Sequence, residues 1–138
     1  MTMETNTLGG SVVERRLADN KTAVTIPVNN ISGVSPEITA GAKINIYTSY
    51  KTENYEVEEL LFQEVKILDV QATGDAESGY TLNAITIQIN PADALKLLHA
   101  INFQKIDITL LKSGHYTKLD NNSVYKISPE LLDILLSE

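Results

Sequence analysis

The chain has 138 residues, 43% of them hydrophobic and 21% charged, with no cysteine and a formal net charge of −7. That length fits one domain burying roughly 65–70% of the surface its unfolded form exposes, and the composition is that of a globular fold. The missing thiols exclude disulfides, thiolate catalysis and Cys-based zinc sites, while eleven basic residues against eighteen acidic ones argue against nucleic acid or an anionic membrane as partner.

Residues 1–20 read as a tail or linker, polar up to Ser11, with Val12 and Val13 as a short strand and Glu14-Arg15-Arg16 as a charged spot in solvent. The first clear strand is Thr22 to Val28, β-branched and closed by Pro27, which cannot donate to a ladder. A turn-rich stretch follows from Asn29 to Glu37. Gly41 punctuates before Lys43 to Tyr50, where Ile44 and Ile46 alternate with Lys43, Asn45 and Tyr47. Lys51 to Glu59 reads as an exposed acidic loop. Leu60 to Val70 is a long strand with a bulge near Gln63-Glu64. After a loop from Thr73 to Gly79, Tyr80 to Ile89 places Ile85, Ile87 and Ile89 on one face and Thr86 and Gln88 on the other.

The period then changes. Asn90 as cap, Pro91 at the first helical position and Asp93 near the positive end of the dipole predict a helix over about 91–101. Ala94, Leu95, Leu98 and Ile101 fall at helical spacing within it. Lys105 to Leu111 is the last strand of this domain, assigned to 21–114. Residues 115–138 form an extension, polar from Tyr116 to Ser123, with a second helix at about 128–137. Its five apolar residues either dock on the domain or meet a partner, and Leu131, Leu132, Leu135 and Leu136 are the candidate partner-binding positions. The expected fold class is α+β, mostly β: an antiparallel-rich sheet or small barrel of five to six strands with one core helix.

No catalytic, cofactor or metal residues are assigned. His99 and His115 lack the clustered ligands of a metal site. No nucleophile elbow or phosphate loop occurs. Glu53, Glu56, Glu58 and Glu59 could pair as acid and base, but they read as a solvated face where nothing shifts their pKa. Tyr47, Tyr50 and Tyr55 are close in sequence, yet with no Trp and two Phe an aromatic platform for sugars is weakly supported.

Three segments from Ala23 to Leu111 resemble the RcpC/CpaB family of Flp (Tad) pilus assembly proteins. They are Thr22 to Val34, which is similar to the family's Ala-Val-Thr-Ile-Pro-Val entry; Ile38 to Ile46; and the run from Leu60 to Val70 through Ile85 to Ala94 to Lys105–Ile108. Their order and spacing agree with the family. The departures are Thr22 where the family often has Arg, Gly41-Ala42 where it has Gly-Asp, and Asn45 at its second Asp. The 115–138 extension has no counterpart.

The resemblance implies a non-enzymatic assembly factor with no cofactor, extracytoplasmic and anchored at the membrane by a segment absent from this chain, where a SAF domain also precedes the domain in the family. It implies other pilus-assembly proteins as partners, the secretin or the inner-membrane platform. A module binding carbohydrate or peptidoglycan is the competing expectation, with Tyr47 and Tyr50 as its test positions. A small hydrolase or lyase acting through His99, His115 or Glu59 is the third.

Overall fold

A computed structural model describes residues 11–32 and 38–128. Strands β1 (Thr22–Pro27), β2 (Ile31–Ser32), β3 (Lys43–Lys51), β4 (Glu56–Asp75), β5 (Gly79–Ile89), β6 (Lys105–Leu111) and β7 (Val124–Ile127) form one open sheet. Among the described residues the helices are α1 (Val12–Arg16) and α2 (Ala94–Phe103), with a 3-10 turn at Pro91–Asp93 leading into α2; the helix expected at about 128–137 lies outside the described residues. The sheet order is β1-β5-β4-β3-β6-β2, with β7 beside the first residues of β4. Among the described residues only the β2–β6 pair is parallel. The structure is therefore mostly β, as its patterning predicts, with a core helix over the sheet.

Alternation explains the strands. Ile85, Ile87 and Ile89 of β5 point into the core, with Ile26 of β1, Ile44 and Ile46 of β3, Ile67 of β4 and Ile106 and Ile108 of β6. These β-branched side chains fit a pleated surface and recur every second residue, so one face of the sheet is apolar throughout. Helix α2 covers that face with Leu97 and Ala100, and it touches both β1 and β6. Pro27 ends β1, where its missing N–H breaks no ladder bond beyond the strand.

Strand β4 is twenty residues long and works as two strands in one. Its first half pairs with β3 and its second half with β5, on the opposite edge. The change of partner needs a change of twist, supplied by an irregularity at Gln63-Glu64. There the register jumps from Ile44↔Val65 to Ile46↔Phe62, and Glu64 adopts φ 57. Left-handed backbone costs a non-glycine residue roughly 1–2 kcal/mol. Asn45 offsets that cost: its side chain is buried, and its Oδ1 accepts the Glu64 N–H at 3.1 Å. An acceptor of this length is what the turn of the backbone at Glu64 requires.

Several local expectations change. Val12-Val13 is not a strand but the start of α1, because Ser11 caps the turn by accepting the Glu14 N–H at 3.1 Å. Arg16 is not a free surface charge. Its Nη1 donates to the Leu68 carbonyl at 2.7 Å and lies 3.6 Å from Asp69, so α1 sits against β4. The acidic loop is confined to the turn between Lys51 and Glu56, and Glu56 to Glu59 belong to β4. The extension contributes β7, a short strand after a polar stretch, paired with Glu56–Glu59. Asn90 makes no side-chain cap; its Oδ1 accepts from Lys21 Nζ.

The helix presents a different face from the one its apolar spacing suggests. Leu97 and Ala100 are buried, with Ile101 packed beside them, whereas Leu95 is 81% and Leu98 42% exposed. Leu97→Ala is therefore expected to lower stability by about 2–5 kcal/mol in chemical denaturation. Leu95→Ala should change it by less than about 0.5 kcal/mol.

Candidate interaction surface

The residues suited to chemistry are not brought together. His99 lies on the outer face of α2 and contacts the Phe103 ring, centroids 5.0 Å apart. His115 is exposed in the turn after β6. Glu59 accepts a hydrogen bond from the Tyr50 hydroxyl at 3.1 Å on β3–β4. Among the described residues no group of three or more His, Asp or Glu side chains is placed to hold a metal ion. Tyr47 and Tyr50 stand three positions apart on β3 and so point to opposite faces, which prevents a shared stacking platform.

One carboxyl departs from the expectation of a solvated, unshifted group. Glu58 of β4 is half-buried, and its Oε2 is enclosed with no hydrogen-bond partner. Across β3, whose Ser49 is directly opposite Glu58, lie Lys105 and, two residues further along and on the same face, Asp107 of β6. Desolvation first, then the hydrogen bond and charge of Asp107, raise the Glu58 pKa to about 7, against a smaller opposing pull from Lys105. The missed signal is the pairing itself, because Glu58 and Asp107 are 49 positions apart and meet only through the β4-β3-β6 order.

Glu64 shows the opposite behaviour. The Tyr116 hydroxyl donates to Glu64 Oε1, Lys118 lies 3.4 Å from its Oε2, and these contacts hold its pKa below the usual carboxylate value. The segment after β6 is thus tied to the bulge, and Gln63 reinforces it by donating to the Leu119 carbonyl at 2.9 Å and accepting the Leu119 N–H at 3.0 Å.

What remains is surface. On α2, Leu95, Leu98 and Phe103 are exposed, Phe103 by 76%, and their spacing of three and eight residues puts them on one stripe. A sheet edge is also open: among the described residues β1 pairs only with β5, so its other side has no strand. Such an edge offers unpaired backbone groups to an added strand. Leu131, Leu132, Leu135 and Leu136 lie outside the described residues.

The described residues form a bulged sheet with a core helix and an exposed apolar stripe on that helix. The sequence places the chain further. The family described as Flp pilus assembly protein RcpC/CpaB matches residues 11–111, from α1 to the end of β6. The chain belongs to the RcpC/CpaB family of Flp pilus assembly proteins, and its role is in assembly of that pilus. No curated protein and no solved structure matches the chain.

Glu58 makes a prediction of definite sign. Its folded pKa lies above its unfolded one, so between about 4.5 and 7 the folded state holds more protons. Stability from this group is full below pH 4.5 and is lost as pH rises through 7. Denaturation curves across that window should show falling stability in the wild type. Glu58→Gln should flatten that part of the profile. A Glu58 carboxyl that titrates near 4.5 by NMR would sink this reading.

Proposed function

We propose that this domain acts without catalysis, as an extracytoplasmic assembly factor that binds other components of the Flp pilus machine. Its partners are the secretin or the inner-membrane platform. The observation that carries the reading is the match to the pilus assembly family over α1 to β6, a span that contains the α2 stripe and the outer edge of β1. Leu95 and Phe103 contribute nothing to the core, and burying two such side chains against a partner stabilises a complex by roughly 3–6 kcal/mol before ordering costs. Leu131, Leu132, Leu135 and Leu136 are a second set of apolar contacts, in the extension outside the family match.

The competing reading is a carbohydrate or peptidoglycan module. The separation of Tyr47 and Tyr50 onto opposite faces of β3 counts against it.

A pull-down from envelope extract, read by mass spectrometry, tests the assembly reading. The wild-type domain should recover secretin or platform components. Leu95→Asp plus Phe103→Asp should retain the melting temperature and lose them. Leu132→Asp plus Leu135→Asp tests the extension in the same way. Recovery of cell-wall material alone would favour the carbohydrate reading.

A further inference from the structure

The chain carries nine lysines, and four of them, Lys21, Lys43, Lys66 and Lys96, line one open cleft of about 650 Å³. The cleft runs between the bulged middle of β4, the end of β5 and the start of α2. In a chain of net charge −7 such a concentration of positive charge is a departure that needs a cause.

None of the four lysines forms an ion pair within 4 Å among the described residues. Lys43 and Lys66 are direct cross-strand partners. Like charges in that position destabilise a sheet, and nothing in the pairing of β3 with β4 requires them. Two carboxylates share the rim, Glu64 and Asp93. Glu64 is already engaged by Tyr116 and Lys118, and Lys43 adds only a weak pull on it. The lysines therefore exceed the acid available to them, at a cost to the fold.

The remaining lining narrows the ligand. Leu61, Phe62 and Ile89 form an apolar floor, and side-chain amides such as Gln88 and Asn122 stand beside it. A site of this volume is far larger than a single phosphate and lies within the range of ordinary ligand pockets. The one ring in it, Phe62, has the Lys96 ammonium 5.7 Å above its centroid, which occupies the face a sugar would stack on. Lysines spaced along an open groove, with amides and an apolar floor between them, suit a chain that carries its carboxylates at intervals.

We infer that this cleft binds an acidic, extended polypeptide segment of a partner protein, with Lys43 and Lys66 holding its carboxylates. The inference rests on the protein-binding reading above and names the chemistry of the segment bound. Charge complementarity sets the site: the rest of the surface repels an acidic peptide, so capture must be local to these lysines.

The probe is a capped octaglutamate peptide titrated into the isotope-labelled full chain and followed by amide NMR. Inorganic phosphate and polygalacturonate are titrated in parallel. Saturable shifts confined to the surroundings of Lys43, Lys66 and Lys96 are expected with the peptide. Lys43→Glu should weaken that binding at least roughly tenfold, as loss of a close charge pair does. The same change turns a like-charge pair into an opposite-charge one, so the melting temperature should rise. Gain of stability with loss of binding is the signature of a site kept at the expense of the fold. Tyr80→Ala, at an exposed position of β5 outside the cleft, should leave the affinity for octaglutamate unchanged. No binding of the peptide, binding indifferent to Lys43→Glu, or phosphate or polygalacturonate binding as tightly as the peptide would each overturn the inference. Pilus components recovered equally by wild type and Lys43→Glu would overturn it while leaving the assembly role standing.

Discussion

The contact on which most of this structure depends is the hydrogen bond from the Glu64 N–H to the buried Asn45 side chain. It holds a non-glycine residue in left-handed backbone in the middle of β4. With the bulge in place, one continuous strand serves β3 on one edge and β5 on the other. The core isoleucines of both halves then face the same helix. The bulge also turns the Glu64 carboxylate toward Tyr116 and Lys118, so the chain beyond β6 is fastened at the same point. It places Phe62 and Lys66 along the lysine cleft as well. A polar side chain at Asn45 thus links local backbone geometry, sheet architecture and surface chemistry. An apolar residue there would leave a buried N–H unsatisfied, a penalty of about 1–3 kcal/mol.

Legibility in the sequence followed the strength of local periodicity. β1, β5 and β6 alternate cleanly, and their limits coincide with those read from the chain within about a residue. The bulge at Gln63-Glu64 was visible because two polar residues interrupt an apolar run. Failures came where tertiary context overrides pattern. Leu95, Leu97 and Leu98 are equally apolar, and only the sheet beneath α2 decides that Leu97 is the one buried. Val12-Val13 looks like a strand until Ser11 caps a helical turn. Val124 to Ile127 follows a polar stretch and becomes a strand through its pairing with β4.

The same logic applies to the surfaces. No reading of the acidic run from Glu53 to Glu59 could single out Glu58, since its burial and its neighbour Asp107 come from strands far away in the chain. Lys43 and Lys66 are unremarkable in sequence and become a like-charge pair only through the register of β3 with β4. The candidate positions Leu131, Leu132, Leu135 and Leu136 rest on sequence alone. Family membership was legible because its carriers are the strand-and-turn segments that the structure uses as framework, β1, β3, β4, β5 and β6. Those segments identify a pilus assembly domain, and the partner contacts are a matter for the exposed positions between them.

Site-specific photocrosslinking in the living source cell is the most direct test of the central claim. A photoreactive residue is introduced at Leu95 in the full-length protein, a position that is exposed and outside the core. The account predicts a crosslinked adduct with a Flp pilus secretin or platform component, formed in cells that assemble pili. Adducts confined to cell-wall polymer, or to proteins unconnected with the pilus, would contradict it.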